Sequence, residues 1–116
     1  MNAVEIEEAI SQLVESPFNK EEFPYQFLEA FGNKSTTIKR LKSGTTNKSD
    51  IPGAVLQYNN IHIFVCNEGE TSTAFETLQK SPATAKQKAK FILATDGIDF
   101  QAEDVATGET VSCAFK

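Results

Sequence analysis

The sequence predicts an α/β domain (an α+β mixed sheet): a central mixed β-sheet flanked by helices. Three observations carry that expectation. IHIFVC (61–66) is apolar on both alternating faces, with Ile61, Ile63 and Val65 on one and Phe64 and Cys66 on the other. A strand buried on both sides lies centrally in a sheet with helices packed over it. KFILAT (90–95) is a second near-continuous apolar strand, and the helical passage between the two allows a parallel, right-handed crossover. The closing segments IDFQAED and ETVSCAFK alternate as antiparallel strands do.

Each element follows in order. Val4, Ile6, Ala9, Ile10, Leu13 and Val14 recur at helical spacing and predict an amphipathic helix to about Glu15, ended by Ser16-Pro17. Pro24 suits the first turn of a second helix, with Phe27, Leu28 and Phe31 on one face and Gly32 as its stop. TTIKRLK is expected as a first strand, with Ile38 and Leu41 only imperfectly placed for it, and SGTTNKSDIP as a polar loop. GAVLQY and IHIFVC form a hairpin around a two-residue turn, Asn59-Asn60, because Asn tolerates positive φ. NEGETST reads as a loop leading to a short helix with Ala74, Phe75 and Leu78. Ser81-Pro82 reads as N-cap and first position of a basic helix, ATAKQKAK. Asp96-Gly97 signals a hairpin turn that fully explains both residues, with Ile98, Phe100 and Ala102 inward beyond it. Thr107-Gly108 turns into a last strand that aligns Val111, Cys113 and Phe115. The chain stops on that strand, which suggests a domain of a longer protein.

At 116 residues the chain is expected to be one domain. No run approaches the ~18 apolar residues of a membrane span. MNAVEIEEAI lacks the basic start of a secretory signal, so a cytoplasmic protein is expected. Cys66 and Cys113 each sit in an apolar run, as buried thiols do. His62, the single histidine, has no recognisable Ser, Cys or acid partner and reads as a packed or surface residue. There is no Gly-rich phosphate loop, no CxxC and no methyltransferase cofactor motif. The nine Phe and two Tyr fall mostly at inward positions and form no stacking platform.

The net charge of −5 argues against a simple nucleic-acid binder, but its distribution is uneven. Lys34, Lys39, Arg40, Lys42 and Lys48 occupy a window without acids, and Lys80, Lys86, Lys88 and Lys90 occupy another. Such segregation can give an acidic protein one positive face, which matters for steering. A merely solvated lysine surface is the plain alternative.

Three stretches, FPYQFLEAFG, PGAVLQYNNIHIFVCN and KFILATDGIDFQAEDVATGE, together resemble the restriction-endonuclease-like fold of the PD-(D/E)xK type. More narrowly, residues 24–116 look like the N-terminal domain of large bacterial restriction–modification proteins that fuse such a domain to a DNA methyltransferase. In that family two carboxylates on neighbouring strands hold Mg²⁺, and a nearby lysine orients or activates the attacking water. Aligned on this pattern, Gly53 stands at the first carboxylate, Val65 at the Glu and Asn67 at the Lys. None of the three has the functional group required. The resemblance therefore implies a degenerate, non-catalytic domain with no cofactor in this segment. Its implied partners are double-stranded DNA, met at the backbone by Lys34, Lys39, Arg40, Lys42, Lys86, Lys88 and Lys90, and a C-terminal methyltransferase region of the same chain. Two alternatives stand beside it: a Mg²⁺-dependent endonuclease with its site relocated to Asp50, Glu68 and Glu70, and a stand-alone α/β interaction module.

Overall fold

Apolar residues three and four positions apart shape the N-terminal part of the chain, which the structure, a computed structural model, describes over residues 3–13, 19–51 and 53–114. Helix α1 (Ala3–Leu13) buries Ile6, Ala9 and Ile10, and α2 (Phe23–Ala30) buries Phe23, Pro24, Phe27 and Leu28. The expected end of the first helix at Ser16-Pro17 lies outside the described residues.

Helix α2 closes as the sequence predicts. The Gly32 amide donates to Glu29 O at 2.9 Å and the Asn33 amide to Leu28 O at 3.2 Å, with Gly32 at φ 85°. These paired bonds define a Schellman ending, which needs a left-handed residue at that position. Gly32→Ala meets no steric neighbour, so only its backbone strain counts. It is expected to cost about 1 kcal/mol, read as a lower urea midpoint with unchanged slope.

The first expected strand is a helix. TTIKRLK falls in α3 (Ser35–Lys42), with Ile38 and Leu41 buried on its inner side. Residues three apart share one helical face, whereas in a strand they would point to opposite faces. Their poor fit to alternation was the signal, and β-branched Thr36, Thr37 and Ile38 obscured it.

The sheet has five strands in the order β1 (Ala54–Leu56), β2 (Ile61–Val65), β3 (Phe91–Thr95), β4 (Asp99–Asp104) and β5 (Thr110–Ala114). β2 and β3 are parallel and all other neighbours antiparallel, so the sheet is mixed as expected. The crossover between β2 and β3 carries α4 (Thr71–Lys80) and α5 (Pro82–Lys86). Ile61, Ile63, Val65, Phe91, Leu93 and Phe100 face α1 and α2 in the main core. Phe64, Cys66, Ile92 and Ala94 face Ala74 and Leu78 of α4 on the other side. The two-faced burial predicted for β2 is therefore present.

Four local expectations differ from the structure. α4 begins at Thr71, inside the segment read as a loop. The basic helix is a single short turn that stops at Lys86, and Lys88 is left-handed at φ 55°. The β1–β2 connection spans Gln57–Asn60, closed by the Asn60 amide on Gln57 O at 3.1 Å, and only Asn59 has positive φ. Ile98 sits at the tip of the Asp96–Asp99 turn rather than inward, 49% exposed, because β4 begins only at Asp99. Phe100 and Ala102 are buried as expected, and Val111 packs against the main core. The side chain of Cys113, and Phe115, lie outside the described residues.

Candidate nucleic-acid interface

Gly53, Val65 and Asn67 do come together. All three line one cleft of about 420 Å³ at the start of β1 and the end of β2, with Lys20, Tyr25 and Glu70. The carboxylates of Glu21 and Glu70 line the same cleft. Gly53 has no side chain, and Val65 is 4% exposed within the main core. The Asn67 amide oxygen already accepts a bond from Lys20 Nζ at 2.8 Å. The acids Asp50, Glu68 and Glu70 are exposed, and Asp50 binds elsewhere, accepting from Ser81 Oγ at 2.6 Å. Among the described residues no group of three or more His, Cys, Asp or Glu side chains is placed to hold a metal ion.

His62 is packed, as its isolation in the sequence suggests, and it is fully buried. Both ring nitrogens are hydrogen-bonded. His62 Nδ1 pairs with Thr84 Oγ1 at 2.9 Å, and Thr84 Oγ1 also reaches Leu78 O at 3.1 Å. His62 Nε2 pairs with Ser49 Oγ at 2.7 Å, and Ser49 Oγ also reaches Ile51 O at 3.3 Å. Burial pushes the imidazole down to about 4 against the opposing pull of Asp50, so it is neutral at pH 7. The ring thus ties the 47–51 loop to α5 through β2. Nearby, the Ser81 hydroxyl holds the Asp50 carboxyl below the usual carboxylate range.

Asp96 does more than turn a hairpin. Its Oδ1 accepts from the amides of Ile98 (2.8 Å) and Asp99 (2.9 Å), and its Oδ2 accepts from Gly69 at 2.8 Å. Partial burial works against the charge, yet these amides hold the carboxyl at about 2. The ends of the parallel strands β2 and β3 are thereby clipped together. At the same end the Cys66 thiol is pushed up by burial.

Of the cations that the sequence singles out, Lys34, Lys86, Lys88 and Lys90 lie by the turn at the opposite end of the hairpin. Lys34, Lys39, Arg40, Lys42, Lys86, Lys88 and Lys90 are all exposed. The turn 57–60 joins the two windows. Gln57 Nε2 donates to Asn33 Oδ1 at 3.0 Å, next to Lys34, and the Lys48 amide donates to Leu56 O at 3.0 Å. On the other side the Asn59 amide donates to Gln87 O at 2.8 Å and the Lys90 amide to Asn60 O at 2.7 Å. Lys42 stands apart toward the cleft, paired with Glu22 at 2.8 Å and lying 5.1 Å over the Tyr25 ring. Among the described residues, the other six have no acid within ion-pair distance. Two acids, Asp104 and Glu109, also lie at this end, on the β4–β5 turn beyond Lys90. The Asp104 carboxylate is engaged by the amides of Ala106 and Thr107.

Sequence reasoning found these cations but missed Lys20, whose reach to Asn67 spans 47 residues and leaves no local signature. Among the described residues no helix is long and apolar enough to cross a membrane. No curated protein and no solved structure matches the chain significantly. A family model does match, over residues 1–116, and it is that of the MmeI N-terminal domain. The chain therefore belongs to the MmeI N-terminal domain family, the N-terminal part of a type II restriction–modification enzyme.

Proposed function

We propose that this is a non-catalytic domain of a restriction–modification protein that engages double-stranded DNA through its phosphates, alongside a methyltransferase region of the same protein. The observation that carries the reading is the joining of two cationic windows, distant in sequence, at the β1–β2 turn. Cations without acid partners are free to release the counterions of a phosphate backbone, and that release drives sequence-independent binding. An acidic protein with one basic end also approaches DNA in a single orientation. Gly53, Val65 and Asn67 supply neither carboxylate nor free lysine in the cleft, which supports a binding rather than a cleaving role.

The test is salt dependence. Reversing two charges on α3, Lys39→Glu with Arg40→Glu, is expected to weaken duplex binding at least about tenfold at low salt. It should also reduce the slope of log K against log salt by roughly 2, two phosphate contacts at about 0.9 each. Fluorescence anisotropy of a labelled duplex measures both. An unchanged slope would remove α3 from the interface.

A further inference from the structure

The turn between β1 and β2 is held from several sides. Within it, the Gln57 amide donates to Ile61 O at 3.0 Å and the Asn60 amide to Gln57 O at 3.1 Å. The side chains of Asn60 and Gln57 bond to one another. From outside, Asn33 takes the Gln57 side chain, and the 87–90 segment both accepts from Asn59 and donates to Asn60. The side chains of Tyr58 and Asn59 take part in none of these bonds, and of the two only Tyr58 is aromatic. Tyr58 is 54% exposed, more than the exposed Ile98 or Val105, and its hydroxyl has no partner among the described residues.

A solvent-facing aromatic at the tip of a braced turn loses little entropy on binding, since its backbone is already fixed. Cations stand on both sides of it, Lys34 and Lys48 beyond Gln57, and Lys86, Lys88 and Lys90 beyond Asn59. An aromatic ring among phosphate-binding cations suits a nucleobase face, because every base offers a π surface. Within an intact duplex those faces are already stacked; at an unpaired base they are not.

We propose that Tyr58 is a base-contacting residue that stacks on an unpaired nucleobase in DNA while the flanking lysines hold the adjoining phosphates. This rests on the phosphate-binding reading above, and adds to it a contact that carries no charge. The position predicts that its loss changes affinity without changing the number of counterions released.

The experiment compares the chain on two labelled DNAs of equal length, one fully paired and one with a single unpaired base. The wild-type protein is expected to bind the second about tenfold more tightly, within the range that stacking on one base supplies. Tyr58→Ala should lose that preference and keep the wild-type salt slope, whereas Tyr58→Phe, which retains the ring, should keep both. Equal thermal melts of the variants check that the fold is intact, as an exposed and unbonded side chain implies. Intrinsic fluorescence gives a second readout, since the chain has two tyrosines and no tryptophan. In a Tyr25→Phe background the remaining emission should be quenched by the DNA with the unpaired base. Equal wild-type affinity for both DNAs, or a loss from Tyr58→Ala that is the same on both or shared by Tyr58→Phe, overturns the stacking role and leaves phosphate binding standing. No salt-dependent binding by any form overturns both.

Discussion

Lowering the pH from neutral to 4 is expected to remove roughly 3 kcal/mol of folding stability through His62 alone, at 1.36 kcal/mol per unit of the fall from 6.5 to about 4. The folded value lies below the unfolded one, so between these limits the unfolded chain holds a proton that the folded chain does not. The stability is therefore fully present above pH 6.5 and is lost as pH falls through the folded value near 4. Asp50 and Asp96 have the same sense at lower pH. Their folded values are depressed, Asp96 to about 2, so their contributions are present above the ordinary carboxylate value of 3.8 and disappear below it. Urea unfolding at a series of pH values should show a first decline between 6.5 and 4 and a second below it. His62→Gln should be less stable at pH 7.5, since it disturbs the bonds to Ser49 and Thr84, yet nearly flat across the first window. A wild-type curve flat from pH 7 to 4.5 would contradict the burial of a neutral imidazole.

Phe27→Ala should destabilise the domain by about 3–5 kcal/mol, a large share of the roughly 5–15 kcal/mol that holds a domain of this kind together. Phe27 is fully buried in the main core, between Phe23 (centroids 6.1 Å apart) and Phe31 (5.0 Å). Removing its ring leaves a cavity where α2 meets the sheet, and the ring contacts on both sides are lost with it. Phe31, only partly buried, provides the comparison: Phe31→Ala should cost clearly less. Equal effects of the two substitutions would mean that α2 does not dock on the face assigned to it.

The sheet was legible because its burial is extreme. IHIFVC and KFILAT are apolar on both faces, and only a central strand accepts that pattern. α2 was legible from its punctuation, Pro24 at the start and Gly32 at the stop. α3 was not, because it is short, rich in β-branched residues and shows only Ile38 and Leu41 as its buried face. Strand propensity then outweighed a three-residue spacing that pointed to a helix. The ends of elements depart from the sequence pattern where tertiary bonds decide them. Lys88 turns left-handed as the chain leaves α5 for β3, and Asp96 reaches across to Gly69. At the candidate site the cations were legible as charge windows. Their meeting at the hairpin turn was not, since it depends on Gln57 bonding to Asn33 and Asn59 to Gln87.

The most direct measurement of the central claim is nuclear magnetic resonance mapping of a short duplex titrated onto isotopically labelled protein at low salt. The account predicts that amide shifts concentrate in residues 34–42, 57–60 and 86–90, and collapse as salt is raised. Shifts centred instead on Gly53, Val65 and Asn67, or no shifts at any salt, would contradict it.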